Sequence, residues 1–262
     1  LALAYEKALV TLNREGGRMK TQYDKPGDPA SIDSTMNITI LNPEADPMIH
    51  KAFPGGIEDL REYVMELTGA KDDWVKDIND PQDTRWEYTY HGRLRTYGTW
   101  REKENETSVE KGPFKIDQIE TVVNKLAAQP FTRQAQMITW MPNLDTDCYD
   151  PPCLQSLWYR ILEDDQGVWW LNCNVRFRSN DAWGASFMNM FGFVRFNREI
   201  IADAIAEKTG RTVKLGRLNW HADSYHIYGK DIAQATQMLF ERVDTMPIEE
   251  RIYNFHDEFI QQ

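Results

Sequence analysis

The 262-residue chain has little cysteine, a shortage of positive charge and no long apolar run. Its three cysteines, Cys148, Cys153 and Cys173, are odd in number and irregularly spaced. That usage suits a reducing compartment better than a disulfide framework, so a cytoplasmic location is expected. No two cysteines stand at zinc-finger spacing and the five histidines are scattered, so no metal site is expected. The formal net charge of −11 argues against broad binding to nucleic acid. It leaves room for binding a single phosphate, for which a few local arginines suffice. No stretch approaches the ~18 apolar residues that cross a bilayer, so no membrane partner is expected. The phosphate-loop pattern and the glycine-rich dinucleotide fingerprint are both missing, as are internal repeats.

What is present is a globular composition, with 41% hydrophobic and 12% aromatic residues. A chain of this size easily buries a core. No linker interrupts it, so one domain over residues 1–262 is expected. Ile57, Leu60, Val64 and Leu67 recur at helical spacing and predict a helix over 56–68, stopped by Gly69. Further helices are predicted over 5–13, 116–128 and 199–208, with a last long one marked by Ile232, Ala235, Leu239 and Val243. Strands are predicted over 36–41, 134–141 and 214–228. Two aromatic-rich runs, 154–162 and 168–177, flank "EDDQG" and predict a hairpin. Residues 21–35 and 70–86 read as loops. The fold class is α+β, a mixed, mostly antiparallel sheet with packed helices.

Several residues could carry chemistry. Strand alternation puts Cys173 on the apolar side of the second hairpin arm with Leu171 and Val175, where it reads as a core thiol. Arg178 and Ser179 end that strand, and a guanidinium beside a hydroxyl can grip a phosphate or simply form surface contacts. Cys153 follows two prolines at a strand start and could be a nucleophile if held as thiolate. Cys148 sits among carboxylates that disfavour its thiolate. Ser224, His226 and Tyr228 form a polar row suited to a sugar hydroxyl or to solvent. Glu62 flanks the apolar stripe of its helix; partial burial would raise its pKa and let it move protons.

In chain order these pieces resemble the thymidylate synthase superfamily, over roughly residues 5–240. "GGRMKT" resembles its N-terminal phosphate-binding loop, with Arg18. "EYVMELTG" resembles the helix of the catalytic carboxylate, with Glu62. "YTYHGRL" supplies Tyr90, and "QPFTRQ" supplies Arg133, which in the family reaches into a partner subunit. "PPC" resembles the nucleophile, with Cys153. "RFRSNDAWGASFMN" resembles the Arg-Ser-x-Asp…Asn block, with Arg178, Ser179, Asp181 and Asn189. "SYHIY" resembles the ribose clamp, with His226 and Tyr228. The chain departs from the family with Leu154 after the nucleophile, Gln134 after Arg133 and a displaced Gly184. Past residue 240 the family's usual closing tail is not expected.

The resemblance implies a thymidylate synthase-like fold and a homodimer with a shared active site. Its substrates would be a pyrimidine nucleoside monophosphate and 5,10-methylenetetrahydrofolate. Cys153 would add to C6 of the pyrimidine and make C5 nucleophilic. Glu62 and Tyr90 would handle protons. Arg18, Arg133, Arg178 and Ser179 would hold the phosphate, Asn189 the base, His226 and Tyr228 the ribose, and Asp181 the pterin of the folate. Conversion of dUMP to dTMP is the first expectation. Hydroxymethylation of dCMP, CMP or dUMP is the second, and a non-catalytic nucleotide-binding protein on the same fold is the third.

Overall fold

The computed structural model describes residues 1–71, 80, 82, 83, 85, 88–104, 107–257 and 260. Most of the predicted loop over 70–86 lies outside them. In chain order the chain forms α1 (Ala2–Glu15), β1 (Gly17–Met19), β2 (Ser31–Ile40), β3 (Ile49–His50), α2 (Ile57–Thr68) and α3 (Tyr90–Arg95). A small hairpin, β4 (Trp100–Glu104) with β5 (Thr107–Lys111), precedes α4 (Gln118–Ala128), β6 (Ala135–Ile138) and α5 (Pro142–Asp145). The long strands β7 (Leu154–Glu163) and β8 (Trp169–Asp181) lead into α6 (Ser186–Phe196). A wider, π-type stretch at Asn197–Ala202 joins α6 to α7 (Asp203–Thr209), and β9 (Val213–Ile227) follows. Short helical segments α8 (Ile232–Ala235), α9 (Glu241–Val243) and α10 (Ile248–Arg251) run on to β10 (Ile252–Tyr253), which pairs with β3.

Six strands make one sheet in the order β1-β2-β9-β8-β7-β6. Every neighbouring pair is antiparallel except β8 and β9, which run parallel. The fold is therefore α+β with a mixed sheet, as the sequence predicts. Helices cover one face: α1 packs on β2, α4 on β6 and β7, and α7 on β9. Beneath them lie Leu171, Cys173, Val175, Phe177 and Trp220, all at most 2% exposed. Phe177 and Trp220 stack at 4.8 Å between ring centroids.

The other face is polar. Thr39 donates to Asn219, and Asn219 donates to Asn174 across three strands, at 2.9 and 2.6 Å. His221 bridges Asn37 and Asp223, and Arg176 pairs with Asp223 at 3.1 Å.

One predicted element takes a different form, and one observed element has no predicted counterpart. The loop expected over 21–35 ends at Ala30, because Ser31, Ile32 and Asp33 already pair with β1 and β9. The apolar stretch after residue 184 is helix α6, which the sequence reading leaves without an element. Nine of its eleven residues are buried, so it shows no alternation of polar and apolar sides.

Candidate active site

The site forms where β8 and β9 end side by side. Parallel pairing sets Ser179 opposite Ser224 and Asp181 opposite His226. On the other side of β9, Asp33 of β2 stands opposite His226. Ser224 donates to Asp33 and lies 3.1 Å from His226 Nδ1. That contact occupies one imidazole nitrogen. The other, Nε2, is buried and has no partner among the described residues. A buried polar atom left open is costly unless a ligand satisfies it. Tyr228 follows two residues later, edge-on to His226 at 4.6 Å and to Tyr23 at 5.9 Å. A cavity of about 210 Å³ opens beside it, lined by Tyr23, Asp24, Asp28, Tyr228 and Lys230.

Asp181 is held tightly. Its Oδ1 accepts from the backbone N–H groups of Trp183 and Gly184, at 3.1 and 2.8 Å. A side chain at Gly184 would put its Cβ 2.5 Å from Asp181 Oδ2, so the turn needs glycine for close approach. Burial pushes the Asp181 carboxyl above its ordinary range. The two N–H groups and nearby His226 pull the other way.

Cys153 immediately precedes β7 and is half-buried, not sealed in the core. Arg178 reaches it from β8. The guanidinium donates to the carbonyls of Pro152 (3.1 Å) and Pro151 (2.5 Å), and its Nη2 lies 3.7 Å from Cys153 Sγ. Backbone closes the link from the other direction, since Arg178 N donates to Cys153 O at 2.9 Å. One arginine thus fixes the peptide that carries the thiol and places a positive charge beside it. Burial still raises the thiol pKa, with Asp150 and Asp181 adding to it and Arg178 opposing. Arg178 also lines a second cavity, of about 520 Å³, with Tyr97, Ile138, Trp140, Pro142 and Gln155.

The other wall comes from α2, α3 and α6. Tyr90 Oη accepts from Leu154 N at 3.4 Å, next to the thiol. Burial and the neighbouring thiol push the proton affinity of this phenol upward. The loop between β6 and Cys153 is tied to α3 through a buried pair: Arg93 grips Asp145 with two bonds, of 2.8 and 3.0 Å.

Asn189 lies one turn into α6, only 7% exposed. It donates to Tyr63 Oη at 2.6 Å. Helices α2 and α6 touch closely at Gly192, where any Cβ would come within 2.6 Å of Leu67 and 2.7 Å of Tyr63.

The two glutamates of α2 differ in their surroundings. Glu62 points outward and pairs with Lys71 at 3.6 Å, its side chain 51% exposed. One turn later, Glu66 is half-buried, and burial raises its pKa to about 7. Its charge acts on both Tyr63 and Tyr90.

Two arginines stand apart from this group. Arg18 is exposed on edge strand β1, opposite Ile32. Arg133 is exposed near the opposite edge of the sheet, where its carbonyl accepts from Trp158. Trp158 is four residues along β7 from Leu154, roughly 13 Å at the usual strand rise. Cys173 lies in the core with Tyr159, where burial pushes its thiol up to about 12. Among the described residues, no group of three or more His, Cys, Asp or Glu could hold a metal ion, and no helix is long and apolar enough to cross a membrane.

Residues 60–257 match the model of the family described as thymidylate synthase. The chain belongs to that family. Several archaeal relatives carry the name "Putative thymidylate synthase". One from Methanocaldococcus jannaschii is 29% identical over 234 residues, 87% of each chain. One from Methanosarcina mazei is 28% identical over 215 residues, 82% of this chain and 81% of that protein. For the protein from Methanothermobacter marburgensis the match is 28% over 152 residues, 58% of this chain and little more than half, 56%, of that protein. The family match begins on α2 and takes in every residue described at this site except Arg18, Tyr23, Asp24, Asp28 and Asp33.

Proposed function

We propose that the protein transfers a one-carbon unit from 5,10-methylenetetrahydrofolate to C5 of a pyrimidine nucleoside monophosphate, converting dUMP to dTMP. The observation that carries this reading is the contact between Arg178 and Cys153, at 3.7 Å, beside the paired ends of β8 and β9. It supports a nucleophile at Cys153 and a phosphate-binding cation at Arg178 within the span of one nucleotide.

Arg178 and Ser179 hold the 5′-phosphate, with Arg18 approaching from the edge strand. His226 Nε2 and Tyr228 bind the ribose; the open buried nitrogen supports this assignment. Asn189 binds the polar edge of the base. Cys153 gives up its proton and bonds through Sγ to C6. The displaced electron pair moves toward the C4 oxygen, where an N–H donor stabilises it, and C5 becomes nucleophilic. Arg178 favours the thiolate and opposes in part the burial that raises the thiol. C5 would bond to the one-carbon unit, whose bond to the folate nitrogen would break as the C5 proton leaves; hydride reaching the new carbon would then expel Sγ and restore the C5–C6 double bond. Glu66, poised near neutrality, moves protons here through water; it takes the role that the sequence gives to Glu62. Tyr90 keeps its proton and orients by hydrogen bonding.

The folate supplies the carbon at the methylene level and, for a methyl product, a hydride as well. Asp181 fits its pterin: Oδ1 is committed to backbone donors, and the buried carboxyl leaves Oδ2 for a ligand donor. The protein acts as a homodimer in which Arg133 completes the phosphate grip of the partner's site. Its exposure and its distance from its own Cys153 support that reading.

The test is to incubate the protein with methylenetetrahydrofolate and each of dUMP, dCMP, UMP and CMP, then weigh the products. A methyl gain on dUMP with dihydrofolate formed is the expected result. A hydroxymethyl gain with tetrahydrofolate formed would replace it with the hydroxymethylase reading. Turnover that survives Cys153→Ala would remove the covalent mechanism altogether.

A further inference from the structure

We infer that Asn180 is a positioning residue that sets base selectivity by fixing which end of the Asn189 amide faces the ligand. The inference rests on the nucleotide reading of the site. Its starting point is Trp220, whose indole N–H can only donate. That group lies 3.1 Å from Asn180 Oδ1, so the carbonyl end of Asn180 must face it. The amino end of Asn180 then faces Asn189 and donates to Oδ1 at 3.0 Å. The Asn189 amide is oriented in turn, with Nδ2 directed toward Tyr63, the side that the nucleotide reading gives to the base.

The chain of donors has one polarity from end to end. Trp220, Asn180 and Asn189 are 1%, 3% and 7% exposed, so water cannot compensate a reversed amide. Turning either amide over would set N–H against N–H in a dry setting. The indole itself is held by its stack on Phe177. Neither Asn180 nor Trp220 touches the ligand; both act through Asn189.

The consequence is chemical. Nδ2 carries two hydrogens and Tyr63 takes one. The other is offered to the base and calls for an acceptor. A pyrimidine with a carbonyl at C4 provides it; an amine at C4 opposes donor to donor. The relay therefore selects 4-oxo over 4-amino pyrimidines.

The relay is tested by the ratio of dUMP to dCMP affinity, measured calorimetrically in wild type and in Asn180→Asp and Asn180→Ala. Both ligands share the phosphate and sugar, so the ratio isolates the base. Wild type is expected to favour dUMP at least tenfold. In Asn180→Asp the carboxylate accepts from both Trp220 and Asn189. The Asn189 amide then turns over, and the ratio moves tenfold or more toward dCMP. Should the buried carboxylate prevent folding, Asn180→Ala decides, because a freely turning amide brings the ratio toward one. A merely structural role would weaken both ligands alike; an unchanged ratio in the folded variants overturns the inference. A wild-type preference for dCMP overturns it too, while leaving the nucleotide site standing. Failure of wild type to bind either nucleotide overturns the site reading and this inference together.

Discussion

At the scale of single residues, burial raises the proton affinity of both acids closest to the proposed chemistry, Cys153 and Glu66. For Glu66 the sign has a measurable consequence. Its folded pKa of about 7 lies above its ordinary value of 4.5, so the folded chain holds a proton that the unfolded chain releases. Wild-type stability therefore falls as pH rises from 4.5 through 7, by an upper bound on the order of 3 kcal/mol. Glu66→Gln removes that loss. Urea denaturation should find the variant more stable than wild type at pH 8 and matched to it below pH 4. The same substitution should erase the pH–rate limb near 7. If Glu62→Gln erased that limb and Glu66→Gln did not, the two roles would have to be exchanged.

Cys153, Arg178, Asp181 and His226 were legible as candidates because each sits in a short local pattern, and strand pairing brings these candidates together. Glu66 was not. At about 100° per residue Glu62 falls opposite the stripe of Ile57, Leu60, Val64 and Leu67, and Glu66 lies some 40° nearer to Leu67. Counting Tyr63 as part of the stripe would have favoured Glu66. Asn180 gave no signal at all, since its meaning depends on an indole forty residues further along.

At the scale of elements, the site depends on how closely α2 approaches α6. Gly192 permits that approach. Gly192→Ala should force the helices apart and cost about 1–3 kcal/mol, as overpacking does. It should also shift Tyr63, the partner of Asn189, and so reduce turnover more than stability alone accounts for. Thermal unfolding together with kcat/KM on folded protein would check this; full activity would separate the helix contact from the site. Elements with one wet side were readable in the sequence: α2 stops at Gly69, as expected, and the turn before Trp169 contains Gly167 at φ 76°. Helix α6 was not readable, because a helix buried all round loses the periodic signature that identifies one. The hairpin of β4 and β5 was hidden by its charged composition.

At the scale of the whole molecule, the proposed shared site predicts complementation. Chains carrying Arg133→Ala and chains carrying Cys153→Ala should each lose most activity. After mixing and exchange, hybrid dimers should regain it in one of their two sites, up to a quarter of wild type per site in a random mixture. No recovery, with exchange verified by native mass spectrometry, would mean that Arg133 does not act across subunits. The polar sheet face was foreseeable from strand alternation. That Arg133 would lie far along β7 from its own Cys153 was not, because that depends on the register between β6 and β7.

The parallel run of β8 and β9 has one more consequence. Both strands enter the sheet together, Trp169 N–H donating to Thr212 O, and both leave it together at Asp181 and His226. Every group assigned to the ligand on these two strands therefore crowds onto one rim. The opposite rim, where the Asp164–Gly167 turn and the Gly210–Thr212 connection meet, bears none of them. It offers a place to vary loop length or attach a label while the reacting end stays as it is.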